Sequence, residues 1–272
     1  MEIIKVPKNF SLEQTFECGQ CFRWRMNEDK SYTGIAGGTA FRLELSDGEL
    51  KITSSGDKNI DYIVDYLDLD RDYDEICQKV SIDDYMKTVS AFGNGIRILN
   101  QEPWEALCSF IISQCNNIPR IKGIISKLCG LYGDKIALDG EEFYTFPTAE
   151  RIAELTEDDL APLRSGYRAP YILNAARDVA SGILDLEKLR LMDTKTAKAE
   201  LKKLNGVGEK VASCMLLFGL HKLDAFPVDV WMKRAVEKSF GKGFDPEKAF
   251  GEYAGVAQQY IFYHAYVTKL SE

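Results

Sequence analysis

The stretch that most restricts this chain is Leu204-Asn205-Gly206-Val207-Gly208-Glu209-Lys210, a Gly-x-Gly turn set between two helical runs. Lys195 to Leu204 reads as the first helix. Val211, Ala212, Met215, Leu216 and Phe218 give the second an apolar face at helical spacing. Glycines one residue apart permit positive φ and close approach of another backbone or a ligand. The first turn of the second helix carries unpaired N–H groups and a positive dipole end, so Gly206, Gly208 and the start of the Lys210 helix are expected to face a phosphate. Taken alone, the turn fits a plain helix-to-helix connection equally well.

The segment Ala225-Phe226-Pro227-Val228-Asp229-Val230-Trp231 follows and leads into a helical run over Val230 to Phe240. Asp229 has the position of an N-cap, a role worth about 1 kcal/mol. A capping carboxylate is fixed in direction and can also face a lysine across the hairpin. A nucleophilic lysine must be partly neutral. Lys210 opens an apolar helix, where desolvation and the positive helix end both favour the neutral amine, and Cys214 lies one turn on along the same face. Only two histidines are present, His221 and His264, and neither has a Ser or Cys partner at recognisable spacing, which argues against a histidine-based mechanism.

L-x-G-V-G-x-K followed by V-D-V resembles the helix-hairpin-helix DNA glycosylase superfamily, and more narrowly the 8-oxoguanine DNA glycosylases. The narrower resemblance rests on five stretches in the family's order: Gly19-Gln20-Cys21-Phe22-Arg23-Trp24, Asn116-Asn117-Ile118-Pro119-Arg120, Gly166-Tyr167-Arg168-Ala169, the hairpin with Val-Asp-Val, and Ala254-Gly255-Val256-Ala257-Gln258. It implies a bifunctional DNA glycosylase and abasic-site lyase acting on double-stranded DNA that holds 8-oxoguanine opposite cytosine. Lys210 would attack the sugar of a flipped-out nucleotide and Asp229 would stabilise the developing positive charge. The same resemblance assigns Gly19, Cys214, Gln258 and Phe262 to the base pocket. Asn116, Asn117, Arg120, Tyr167 and Arg168 would fill the gap left by the base and read the opposite cytosine. Cys115 departs from the family, which usually has asparagine there.

Two other readings stay open at this stage. A related lyase for another oxidised base, of the endonuclease III kind, usually carries four C-terminal cysteines for an iron-sulfur cluster, and no cysteine follows Cys214. A non-catalytic hairpin module that binds DNA only through phosphates would not need both Lys210 and Asp229. No metal or cofactor is expected. Cys18-Gly19-Gln20-Cys21 has the spacing of half a zinc site but lacks a second pair, so a structural role is expected.

The net charge of −8 runs against nucleic-acid binding. Acidic residues crowd Asp57 to Asp84, whereas Arg120, Lys122, Lys127, Arg164, Arg168, Lys202, Lys203, Lys210, Lys233 and Arg234 lie in or beside the contact segments, which predicts one basic face. Seven cysteines at irregular spacing fit reduced thiols. With no long apolar run and no signal-peptide profile at Met1 to Lys5, a cytoplasmic monomer is expected, nucleoid-associated if bacterial.

Alternating patterns and Gly-Gly and Asp-Gly turns predict strands at 21–25, 32–35, 40–45 and 49–52. From Ile60 onward helical spacing takes over, with runs predicted at 60–69, around 76–80 and 85–92, and then at 104–114, 118–132, 149–155, 171–183 and 247–270. The fold class is therefore α+β: an N-terminal antiparallel β-rich domain (1–80) followed by a helical helix-hairpin-helix body (81–272), its hairpin at about 195–220.

Overall fold

The computed structural model describes residues 1–56 and 60–268. The N-terminal part is an all-antiparallel sheet of β1 (Glu2–Lys5), β2 (Trp24–Met26), β3 (Tyr32–Ala36), β4 (Thr39–Ser46) and β5 (Glu49–Ser54), in the order β1-β5-β4-β3-β2, with α1 (Leu12–Glu17) between its first two strands. The β3–β4 and β4–β5 connections use Gly37-Gly38 and Asp47-Gly48, all four at positive φ, as tight hairpins between twisted strands require. Phe16 stacks on Trp24 at 4.2 Å, and Trp24 lies against Gly34, where any β-carbon would enter its ring.

Helices follow: α2 (Ile60–Tyr66), α3 (Tyr73–Val80), α4 (Asp84–Gly93), α5 (Pro103–Ser113) and α6 (Ile118–Tyr132), then a small hairpin of β6 (Lys135–Leu138) and β7 (Glu141–Tyr144). The remainder comprises α7 (Ala149–Ala153), α8 (Glu157–Leu160), α9 (Ala169–Ala180), α10 (Leu186–Leu191), α11 (Thr194–Leu201), α12 (Glu209–Phe218), α13 (Val230–Phe240), α14 (Pro246–Phe250) and α15 (Ala254–Val267). The sheet core gathers Phe16, Trp24, Phe41, Leu43, Leu50 and Ile63, whereas the helical core takes in Tyr73, Ile111, Ala212, Met215 and Tyr260. The loop after α1 belongs to both: Cys21 packs in the sheet core, Cys18 and Phe22 in the helical one.

Two elements differ from expectation. The strand expected at 21–25 starts only at Trp24, because residues 18–22 form that bridging loop. The long helix expected over 247–270 is broken. Gly251 adopts φ +56°, ψ −131°, a conformation that in practice only glycine tolerates, and a short turn separates α14 from α15. Lys269 and Leu270 lie outside the described residues. Strand β1, helix α1 and the β6–β7 hairpin add to the elements legible in the pattern. Among the described residues no helix is long and apolar enough to cross a membrane.

Candidate active site

Lys210 owes its position to the turn before it. Gly206 has φ +83°, and a β-carbon there would lie 2.2 Å from the Tyr171 ring, so the tight turn and the packing against α9 both require glycine. Gly208 is different: its φ is −90°, it caps α12 without a side chain, and nothing crowds it, which leaves the helix N-terminus open to an incoming group. Glu209 is turned back toward α11, where Lys198 and Lys202 pair with it and their hydrogen bonds hold its carboxyl below the usual range. The hairpin is thus closed on its outer side, and Lys210 points inward.

The Lys210 Nζ donates to Ser113 Oγ at the end of α5 (3.0 Å) and sits 5.6 Å from the centroid of the Phe110 ring. One turn on, the Cys214 thiol is buried. Burial raises its pKa and the Asp229 charge adds to this, while Lys210 acts in the opposite sense. Asp229 caps α13 as expected, accepting from the Met232 amide at 2.7 Å. Lys210 and Asp229 form no ion pair among the described residues, but both line the same cavity of about 80 Å³.

That cavity also collects Gly19, Cys214, Gln258 and Phe262, from the bridging loop, α12 and α15. Gly19 has φ +81°, and a β-carbon there would sit 3.4 Å from the Phe262 ring. Its neighbours are tied down. Gln259 Nε2 donates to the Cys18 carbonyl (2.6 Å), the Gln20 amide group bonds the Thr15 and Arg97 carbonyls and the Leu99 N–H, and Gln101 Nε2 holds the Gln20 carbonyl. Gln258 is 5 % exposed, yet its Oε1 has no hydrogen-bond partner among the described residues. An orphaned buried acceptor costs about 1–3 kcal/mol, so it is explained best as an acceptor waiting for a ligand. Cys18 and Cys21 are buried free thiols, and burial pushes Cys18 up to about 12.

A wider cleft of about 790 Å³ shares Gly19, Phe110, Lys210, Asp229 and Phe262 with the small cavity, and it runs past Gly208 and Lys233 on one side and Cys115 and Asn116 on the other. Asn117, Arg120, Tyr167, Arg168 and Gly206 lie off both spaces. Asn117 caps α6 through the Arg120 amide (3.0 Å), and Asn116 Nδ2 bonds the Ile112 carbonyl. Arg120 reaches the Arg164 carbonyl, and Tyr167 is half exposed. Arg168 is buried and spends its guanidinium on the carbonyls of Gln114 (2.8 Å from Nε) and Ser165 (3.0 Å). Cys115 sits at φ +50°, a conformation in which asparagine is favoured over other side chains. The pattern did not mark Phe110, Ser113 or Gln259. Only Gln259 left a signal, as the second of two adjacent glutamines inside an apolar run.

Residues 3–107 match the family profile described as the 8-oxoguanine DNA glycosylase N-terminal domain, and residues 108–251 that of the HhH-GPD superfamily of base excision DNA repair proteins. The chain is 34% identical over 259 residues to an N-glycosylase/DNA lyase of Saccharomyces cerevisiae, covering 84% of this chain and 68% of that protein. It is 31% identical to the N-glycosylase/DNA lyase OGG1 of Arabidopsis thaliana, covering 93% and 76%. The fold superposes with a TM-score of 0.91 on the Clostridium acetobutylicum 8-oxoguanine glycosylase/lyase in complex with double-stranded DNA containing cytosine opposite 8-oxoguanine, at 37% identity and covering 98% of this chain and 95% of that one. With two adjoining profiles spanning nearly the whole length and a lysine and a carboxylate meeting in one pocket, the chain belongs to the 8-oxoguanine DNA glycosylase family of the HhH-GPD superfamily.

Proposed function

We propose that this chain excises 8-oxoguanine from duplex DNA and then cleaves the strand at the resulting site, with Lys210 as nucleophile. The observation that carries the reading is the meeting, in one cavity of about 80 Å³, of an amine, a carboxylate and a buried amide oxygen with no partner. A base flipped out of the stack presents its edge to Gln258 and its faces to Phe262 and Cys214, and Gly19 supplies a backbone carbonyl for the N7 hydrogen that guanine lacks. The Lys210 lone pair forms a bond to the sugar C1′ while the C1′–N9 bond breaks. Its electron pair leaves with the base, which takes up a proton. The added amine loses a proton, the ring C1′–O4′ bond opens with protonation of O4′, and a C1′=N iminium remains. Removal of a C2′ proton then expels the 3′ phosphate oxygen, which is the strand break. Asp229 stabilises the positive charge on the sugar as the base departs and assists the proton movements.

The partner in this reading is double-stranded DNA with cytosine opposite the lesion. In the same reading a single chain is the working unit, and the cytoplasm, at the nucleoid in a bacterium, is where it works. Borohydride trapping on duplexes with 8-oxoguanine opposite each normal base, with undamaged and oxidised-pyrimidine duplexes as controls, tests it. A covalent protein–DNA band on 8-oxoguanine that vanishes in Lys210→Gln is the expected result. Retained binding with no band on any lesion would overturn the lyase reading in favour of a non-catalytic binding module.

A further inference from the structure

Among the described residues Ser113 is the side chain to which Lys210 donates a hydrogen bond, and its own proton is already committed. Its Oγ donates to the Phe110 carbonyl (2.8 Å), closing the last turn of α5, and it is 9 % exposed. A hydroxyl has one hydrogen and two lone pairs. Toward Lys210 Nζ, 3.0 Å away, it can therefore only accept.

An acceptor-only neighbour acts differently on the two forms of a lysine. The ammonium ion has three N–H groups and loses nothing by giving one away. The neutral amine has two N–H groups and a single lone pair, so donating one N–H to a fixed oxygen restricts where that lone pair points. The other groups around Nζ narrow the choice. The Phe110 ring lies 5.6 Å off, and Cys214 lies one turn on along α12, lining the same cavity. With one N–H held by Ser113, Nζ faces the cavity that it shares with Asp229, Gln258 and Phe262.

We infer that Ser113 is a positioning residue, an acceptor-only anchor that holds Lys210 Nζ so that the lone pair of the neutral amine faces the sugar of a flipped nucleotide. The inference rests on the lysine mechanism proposed above. Ser113 lines the wider cleft, and in this role it acts through Lys210 and exchanges no proton with the substrate. It fixes the line along which the N–C1′ bond forms, and displacement of a reacting atom by about 1 Å costs on the order of 100-fold in rate. The titratable groups facing Lys210 are Cys214 from α12 and Asp229 at the start of α13. Helix α5 contributes none, Glu209 is turned away toward Lys198 and Lys202, and Lys233 lies in the wider cleft.

The test is single-turnover base release and borohydride trapping on 8-oxoguanine duplex, as a function of pH, for wild type, Ser113→Ala, Ser113→Cys and Ser113→Thr. Ser113→Cys keeps the volume but replaces a good acceptor with a weak one, so it remains informative should the alanine variant fail to fold. Expected is a fall of roughly 10- to 100-fold in the maximal rate for Ala and Cys, with DNA binding unchanged. Ser113→Thr, which keeps the hydroxyl, should restore most of the rate. Wild-type rates in Ser113→Cys would overturn the inference. Failure of the wild type itself to trap would instead overturn the lysine mechanism, so the two failures are separable.

Discussion

In the proposed mechanism Asp229 serves two purposes, and one substitution separates them. Its carboxylate caps α13 through the Met232 amide at 2.7 Å, and it lines the reaction cavity beside Lys210 without pairing with it. Asparagine caps a helix about as well as aspartate, so Asp229→Asn should give up only the charge–dipole interaction, about 0.3–1 kcal/mol. Asp229→Ala loses the cap as well, about 1 kcal/mol more, which for a chain of this size is a further fall of roughly 2–4 °C in Tm. The chemistry responds differently. A unit negative charge about 4 Å from developing positive charge, at an effective dielectric of about 20, is worth about 4 kcal/mol. Asp229 is half-buried, so solvent screening brings this to about 3–4 kcal/mol, or roughly 10²- to 10³-fold in rate. Asp229→Asn and Asp229→Ala should therefore share that loss in single-turnover base release while differing in their melting curves. If Asp229→Asn kept its rate within tenfold of wild type, the carboxylate would be a cap and nothing more.

Three further outcomes follow from particular contacts. Gln258→Leu removes the amide that lines the cavity beside Lys210, so kcat/KM for lesion excision should fall roughly 10- to 100-fold while Tm of the DNA-free protein stays close to wild type. Arg168→Ala strips the Gln114 and Ser165 carbonyls of charged donors and should cost about 2–4 kcal/mol, with faster amide exchange around 114–117, whereas Arg120→Ala should leave Tm unchanged and narrow the discrimination between opposite bases. Burial holds His221 and His264 below the ordinary imidazole range, in His221 against the pull of Asp68. The unfolded chain then takes up protons first as pH falls below about 6.5, so stability is full above that value and is lost on acidification. A His221→Gln variant, which can still donate to the Ile98 carbonyl, should show a shallower decline of Tm with pH between neutrality and the onset of carboxylate titration.

Where the sequence carried explicit stop and start chemistry, the element boundaries were legible. Helix α6 runs over Ile118–Tyr132 and α13 over Val230–Phe240, as the pattern predicts, because Asn117 with Pro119 and Asp229 with Gly241 mark their ends. The break at Gly251 was not legible, since an isolated glycine inside helical spacing does not announce an extreme backbone conformation. The β6–β7 hairpin was missed although Asp139-Gly140 is a turn signal, because its flanking strands are short and largely exposed. Lys210 and Asp229 stood out by local chemistry. Gly19, Gln258 and Phe262 did not: they are far apart in the chain, and only the family resemblance joined them before the fold did. Ser113 was out of reach altogether, because a serine closing an apolar helix looks like any other, and its role arises from the packing of α5 against α12.

The distribution of charge sets how such an acidic protein can work on DNA. Of the ten basic residues that the sequence places in or beside the contact segments, Lys122 pairs with Glu17, Lys202 with Glu209 and Lys203 with Glu200, and Arg168 is buried against carbonyl groups. Lys210 points into the pocket. Among the described residues, Arg120, Lys127, Arg164, Lys233 and Arg234 have no carboxylate partner. If all five met phosphates, the logarithm of the binding constant would fall with the logarithm of salt concentration with a slope near −4.5, whereas ten phosphate contacts would give about −9. A titration of undamaged duplex across salt concentrations should therefore give a slope of about −4.5 or shallower. A slope near −9 would mean that DNA breaks the internal ion pairs on binding and that the hairpin clamp on Glu209 opens. With the shallow slope, affinity for ordinary DNA stays modest, and preference for the lesion has to come from the cavity, where the proposed readers, Gln258 and the pinned Gly19 loop, carry no net charge of their own.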